Sequence, residues 1–294
     1  MGLTNHSLDA FFEQVLFRVF GLESIIKEYQ FISGGCINNA VRLDTKNGDF
    51  FLKWNESTPE EMFEKEAMGL ELLRQSNKIA VPEPIAFGTC QGKSYLLMEY
   101  LPTHRQCADY WTLFGRQLAG LHGMSSDTFG LEYSNYIGKL PQRNTECDDW
   151  VEFFIEHRLE VQLGLAMYNG HIDSAYAKRF RRLYDVLPGE LPEEAPALLH
   201  GDLWSGNMMP GHEGLPTIFD PAVYYGSREM ELAFTRLFGG FDQSFYTAYH
   251  EAFPLSQGFT DRVDLYNLYP LLVHVNLFGG SYLSGIDRTL RRYL

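Results

Sequence analysis

Apolar residues in this chain recur with two different periods, and the change from one to the other divides it. Over residues 7 to 20, Leu8, Phe11, Phe12, Val15, Leu16 and Val19 fall on one helical face, with Ser7 placed to cap the helix and Gly21 to end it. Between residues 25 and 54 the pattern shortens to β-rich runs. Asp44-Thr45-Lys46-Asn47-Gly48 reads as a hairpin turn between strands at 40 to 43 and 50 to 54. A helix over 59 to 75, an extended connection over 81 to 85 and a strand over 94 to 100 follow. After Pro102 the pattern is helical, beginning with Trp111, Phe114, Leu118 and Leu121 at helix spacing within 110 to 124. Further helices are predicted over 148 to 167, 174 to 187, 231 to 238, 243 to 253 and 262 to 283.

Composition narrows the function more than the fold. The 294 residues are 45% hydrophobic and 21% charged, enough for one large domain or two smaller ones with an ample core. With 24 Lys and Arg against 38 Asp and Glu, the net charge is -14, and the chain has no Lys/Arg-rich run. Nucleic acid and anionic membrane surfaces are therefore excluded as expected partners, while an amine-bearing substrate suits the acidic balance. Asp9 and Glu13 interrupt the first apolar stretch, which argues against a signal peptide, and no apolar run reaches membrane-spanning length. Cys36, Cys90, Cys107 and Cys147 lie far apart without metal-ligand spacing, which fits a reducing cytoplasm.

The candidate chemistry lies between residues 198 and 220, LLHGDLWSGNMMPGHEGLPTIFD. His200, Asp202 and Asn207 form an HxDxxxxN pattern, followed by a Pro/Gly-rich turn and a short strand that ends on Asp220. Phosphoryl transfer needs an oriented acceptor hydroxyl and neutralised phosphate charge rather than covalent help. In such a site Asp202 takes the hydroxyl proton, and Asn207 and Asp220 hold Mg2+ through a neutral and a charged oxygen. His200 braces the backbone. Upstream, Gly34, Gly35, Cys36 and Asn38 form a small-residue loop able to approach nucleotide phosphates. Lys53, on the next strand, can reach the α and β phosphates, held by a carboxylate on the following helix. Glu66 is preferred for that role over Glu64, because it lies one turn ahead of Leu70 and Leu73. The run around Glu99, Tyr100 and Leu101 is the expected hinge, where main-chain groups of Glu99 and Leu101 meet adenine.

The strings HGDLWSGN at 200 to 207, FDPAVYYGSREMELAFTRLFGGF at 219 to 241 and LFGGSYL at 277 to 283 closely resemble the fructosamine kinase, or ketosamine 3-kinase, family. GGCINNAVRL at 34 to 43 and FEKEAMGLELL at 63 to 73 agree with it. The resemblance implies an α+β, two-lobed protein-kinase-like fold. A small antiparallel-sheet nucleotide-binding lobe spans residues 1 to 101 and a mainly helical catalytic and substrate lobe residues 102 to 294. It implies ATP and Mg2+ as cofactors, and ketosamines or glycated protein lysines as substrates phosphorylated on the sugar 3-hydroxyl, so that the amine is later freed. The protein is expected as a monomer or weak dimer. Trp204 and Glu229 are placed at the sugar-amine end of the site. Two alternatives are a kinase of the same fold for an aminoglycoside, choline or sugar, and a non-catalytic nucleotide binder. The presence of Lys53, Glu66, Asp202, Asn207 and Asp220 together disfavours the second.

Overall fold

The computed structural model describes residues 5–21, 25–32, 38–59 and 61–294. The first helix, α1, covers Asn5–Phe20 and buries Phe11, Phe12, Val15 and Leu16 completely. Gly21 ends it in the left-handed region at φ 66°, its N–H bonded to the Phe17 carbonyl. Five strands follow in an antiparallel sheet: β1 (Ile26–Phe31), β2 (Asn39–Thr45), β3 (Gly48–Asn55), β4 (Pro84–Cys90) and β5 (Lys93–Glu99), in the spatial order β1-β2-β3-β5-β4. The β2–β3 turn is tighter than the spacing predicts. Thr45 pairs with Gly48, so only Lys46 and Asn47 lie outside the strands.

Strand alternation explains the layering. Val41, Leu43, Phe50, Leu52, Trp54, Tyr95 and Leu97 share one core with α1. The period of two therefore turns Lys53 and Leu96, which pair across β3 and β5, to the opposite face. That face is covered by α2 (Glu61–Gln75), whose buried residues include Phe63, Leu70 and Leu73. These join a second core that continues into the helical half of the molecule. Gly69 gives α2 its close approach there: a side chain at this position would start 3.1 Å from Val223.

The second half begins with α3 (Tyr110–His122), followed by a two-stranded hairpin, β6 (Asn135–Ile137) and β7 (Leu140–Gln142). The helix expected over 148 to 167 is interrupted: α4 (Trp150–Phe153) passes through a π-helical stretch, Phe154–Leu159, into α5 (Glu160–Tyr168). The extra residue in that turn brings Arg158 inside, fully buried, with its guanidinium 3.9 Å from the Tyr224 ring centre and donating to the Arg143 carbonyl and Asn144 Oδ1. Then come α6 (Ser174–Tyr184), α7 (Leu187–Glu190) and two small antiparallel pairs. β8 (Ala197–Leu199) pairs with β11 (Tyr224–Gly226), and β9 (Met208–Pro210) with β10 (Pro216–Ile218). The last helices are α8 (Arg228–Leu237), α9 (Gln243–Ala252), α10 (Phe259–Tyr266), α11 (Leu268–Phe278) and α12 (Leu283–Tyr293). The single helix expected over 262 to 283 is thus two, followed by a 3-10 turn. The break falls at Asn267, whose Nδ2 donates to the Ala233 carbonyl of α8. Pro270 has no N–H for the Tyr266 carbonyl, so the helical ladder stops one residue before Asn267.

Candidate active site

β8 is buried throughout and delivers His200 into the interior, where it is fully buried. Burial holds its imidazole below its ordinary pKa, so it is neutral. Its Nε2 meets the Phe219 carbonyl at 2.9 Å, and its Nδ1 faces the Asp202 N–H at 3.3 Å. The ring therefore ties the Asp202 loop to the end of β10. Gly201 follows at φ 84°, and a side chain there would begin 2.0 Å from the Ala222 carbonyl. Only glycine allows this contact.

Beneath the loop lies a carboxylate that the sequence pattern does not single out as functional. Glu231 on α8 accepts from the His200 N–H at 3.1 Å and the Gly201 N–H at 2.7 Å, and it meets His122 Nε2 at 2.9 Å. His122 Nδ1 in turn meets the Tyr249 hydroxyl at 2.8 Å. Burial alone would raise the Glu231 pKa, but the bonds from His122 and Gly201 bring it below the ordinary value. An ionised carboxylate thus anchors the two residues preceding Asp202. In the sequence the run 228 to 235 mixes charged and apolar residues, and only its complete burial in the fold marks Glu231.

Above the loop the expected residues converge. Asn207, nearly buried, donates through Nδ2 to the Asp202 carbonyl and to Asp202 Oδ2, both at 2.9 Å. Its backbone carbonyl accepts from the Phe219 N–H at 3.1 Å, which sets it beside Asp220. Asp220 adopts φ 58°, and its Oδ1 lies 2.8 Å from Lys53 Nζ. Lys53 Nζ also meets Glu66 Oε1 at 2.7 Å. Burial would lower the Lys53 pKa, but the Asp220 and Glu66 carboxylates hold it well above its usual value, so the ammonium stays charged. Burial pushes the Asp202 carboxyl well above its usual pKa. Asn207 opposes that shift, and Asp220 and Glu231 add to it.

A divalent cation fits this geometry. With Nδ2 of Asn207 engaged on Asp202, its Oδ1 remains for a metal, and the Asp220 side chain is 40% exposed. An amide oxygen and a carboxylate are hard ligands of the kind Mg2+ takes alongside phosphates. Among the described residues, no group of three or more His, Cys, Asp or Glu could hold a metal unaided.

The remaining expected positions divide. Gly34, Gly35 and Cys36 lie outside the described residues. Asn38 Oδ1 accepts from Asn55 Nδ2 at 3.0 Å, which ties it to the end of β3. The Glu99 N–H donates to the Glu83 carbonyl at 2.9 Å, and the Glu99 carbonyl, on the same side of an extended strand, is likewise directed away from β3. Leu101 follows, half-buried. Trp204 packs its ring over Gly206 and lies edge-on to Phe238 at 6.2 Å. Phe238 continues to His274 at 4.9 Å, and His274 to Tyr282 at 5.0 Å, extending an aromatic wall from the catalytic loop. Glu229 must be reassigned. It is wholly buried and gripped by Arg262, Nε to Oε2 at 2.8 Å and Nη2 to Oε1 at 2.6 Å, so it cannot face a sugar-amine ligand. A carboxylate in low dielectric is retained by its bidentate partner.

Comparison with known proteins agrees with this arrangement. The family model described as fructosamine kinase matches residues 9–294. A "probable ketoamine kinase" of Synechocystis sp. is 42% identical over 270 residues, covering 92% of this chain and 91% of that protein. The chloroplastic protein-ribulosamine 3-kinase of Arabidopsis thaliana is 41% identical over 267 residues, covering 90% and 81%. Among solved structures, a "putative fructosamine-3-kinase" from Haemophilus somnus superposes with a TM-score of 0.87 at 31% identity, covering 97% of each chain. Spectinomycin phosphotransferase with ADP and spectinomycin shares only the fold, at TM-score 0.55 and 15% identity. A match that runs nearly end to end, over a chain in which Lys53, Glu66, Asp202, Asn207 and Asp220 come together, places this protein in the fructosamine kinase family.

Proposed function

We propose that this protein transfers the γ-phosphoryl group of ATP to the 3-hydroxyl of a ketosamine, either free or on a glycated lysine. The observation that carries the reading is the Asn207 amide. One end of it fixes Asp202, and its other end, beside Asp220, is left for a cation. In this reading Asp202 Oδ1 accepts the hydroxyl proton of the acceptor, and its raised pKa suits a group that must take a proton. Lys53, pinned by Glu66, presents its ammonium to the phosphates. Mg2+ held by Asn207 and Asp220 supplies charge neutralisation at the transferring phosphates. Glu231 keeps the Asp202 loop in register, and His200 is a brace without a proton-transfer role.

The substrate end is assigned to the wall of Trp204, Phe238 and His274. Its apolar ring faces suit the C–H surface of a sugar and the stem of its amine. Adenine is assigned to the Glu99 carbonyl and the Leu101 N–H, with the lobe boundary between Leu101 and Pro102. The acidic balance of the chain supports an amine-bearing substrate in a reducing cytoplasm, with a monomer or weak dimer as the working unit.

ATP consumption with Mg2+ is the test, against fructosamines, ribulosamines, the free sugars, choline and an aminoglycoside, with the phosphorylated position read by phosphorus NMR. Ketosamine turnover with phosphate on the 3-oxygen is expected. Turnover of another acceptor with ketosamines silent would reject the substrate assignment and leave Asp202 in place.

A further inference from the structure

Away from the catalytic loop, a cavity of about 660 Å³ opens between α2, β4 and the segment that precedes β6. Its size is that of a small-molecule pocket. Met68, Leu72, Phe87 and Leu131 give it an apolar floor, and Phe87 is 47% exposed. Glu71, Glu132 and Glu146 stand around that floor, and no Lys or Arg lines it. The cations and donors nearby only partly answer these carboxylates. Arg74 lies 3.6 Å from Glu71 Oε2 and the Gln75 amide donates to Glu71 Oε1 at 3.1 Å, the Thr128 hydroxyl donates to Glu146, and the Lys65 ammonium sits over the Tyr133 ring at 5.2 Å.

We propose that this cavity binds an apolar ligand carrying one positive charge, an aryl- or alkylammonium, and that its occupancy tightens nucleotide binding through α2. Charge complementarity selects the class. An ammonium gains Glu132 and Glu146 while its hydrocarbon part covers Phe87 and Leu72, whereas an anion would meet only like charge.

The link to the active site is the helix itself. Ala67, Met68, Glu71 and Leu72 face the cavity, while the neighbouring Glu66 holds Lys53 at 2.7 Å. Gly69 presses α2 against Val223, three residues beyond Asp220. The Tyr136 hydroxyl meets Glu61 Oε1 at 2.6 Å and fastens the start of α2 to the helical half. A ligand filling the cavity braces the free flank of this helix, so Glu66 and Lys53 stay in place for phosphate. By reciprocity, nucleotide must tighten the ligand by the same factor. The inference rests on the nucleotide role of Lys53 and Glu66 but not on the identity of the acceptor.

The test is calorimetric titration of the full chain with phenylpropylammonium and its neutral analogue phenylpropanol, with and without Mg2+ and a non-hydrolysable ATP analogue. The ammonium is expected to bind more tightly than the alcohol, and nucleotide is expected to tighten it about fivefold, the lower range of site coupling. Glu132→Gln with Glu146→Gln should weaken the ammonium about tenfold and leave the alcohol unchanged. Leu72→Trp should fill the cavity and abolish binding, with turnover of both variants unchanged in the absence of ligand. If Leu72→Trp does not fold, the double glutamine variant alone decides the matter. No binding of the ammonium, equal binding of ammonium and alcohol, or full binding by both variants would overturn the site. The last outcome would place the ammonium elsewhere, such as beside Trp204. Binding without nucleotide coupling would overturn the role of α2.

Discussion

Two buried glutamates on α8 make the sharpest test of how the site is built. Glu229 and Glu231 are two residues apart, and both are essentially inaccessible. Glu231→Gln keeps the shape and removes the charge. Its amide nitrogen must then replace one carboxylate oxygen. With nitrogen on the Oε2 side it opposes the His200 N–H, while His122 can switch tautomer so that Nε2 accepts and Nδ1–H donates to the Tyr249 hydroxyl. On the Oε1 side it opposes the Gly201 N–H at 2.7 Å. Either orientation leaves one buried backbone donor unmet, at a cost of about 1–3 kcal/mol. The other two bonds lose their charge assistance, roughly halving them. The sum is about 3 kcal/mol, placed on the two residues that precede Asp202. A catalytic group displaced by such loosening can lose about a hundredfold in rate, so kcat should fall by about 10- to 100-fold at saturating ATP. Glu229→Gln also breaks a buried pair, with Arg262, and should cost about 3 kcal/mol. That loss falls between α8 and α10, away from Asp202, so kcat should stay within about twofold. Urea unfolding and initial-rate kinetics on both variants decide the point. Equal loss of kcat in the two, or Glu231→Gln with wild-type turnover, would refute the anchoring argument.

Three further expectations follow from the same geometry. Asp202→Asn should lose about two to four powers of ten in turnover while binding ATP normally by calorimetry, and near-normal turnover would remove Asp202 from the base role. The buried imidazoles should lower stability as the medium is acidified, against the Asp202 and Glu66 carboxyls, which burial raises and which therefore take up protons in the fold first. His157, His200 and His274 are held below their ordinary pKa by burial, so from about pH 6.5 downward the unfolded chain binds protons that the folded chain does not. Each such imidazole removes up to ~1.4 kcal/mol per pH unit. Glu231, depressed in the fold, adds its loss lower, as pH falls through the ordinary carboxylate range. A urea midpoint in His274→Gln that drops as steeply between neutral and mildly acidic pH as in the unaltered protein would contradict this. Gly115→Ala would put a methyl group 2.2 Å from the Phe245 carbonyl where α3 meets α9, and a thermal melt should show destabilisation of about 1–3 kcal/mol.

Much of this molecule is decided locally, and that part was legible in the sequence. The apolar stripe of α1, the β2–β3 hairpin and the helical second half follow from periods of 3.6 and 2, which report the face each side chain must take. The same alternation sends Lys53 to the face opposite α1, and one helical turn separates Glu66 from Leu70. The spacing of His200, Asp202, Asn207 and Asp220 needs only a short loop and a strand to bring them together. Tertiary structure decided what depends on a partner distant in the chain. Glu231 and Glu229 are alike in their local run, yet one meets His122 and the catalytic loop while the other meets Arg262. A π turn sends Arg158 inward because Tyr224 and Asn144 receive it there, whereas the helix break at Asn267 follows locally from Pro270. The left-handed Asp220 is held between Lys53 and the backbone of the catalytic loop, a conformation that no neighbouring residue specifies. Periodicity records burial. Which buried charge meets which partner is settled only when elements a hundred residues apart are packed, because an uncompensated charge or donor in low dielectric costs more than local preference can offset.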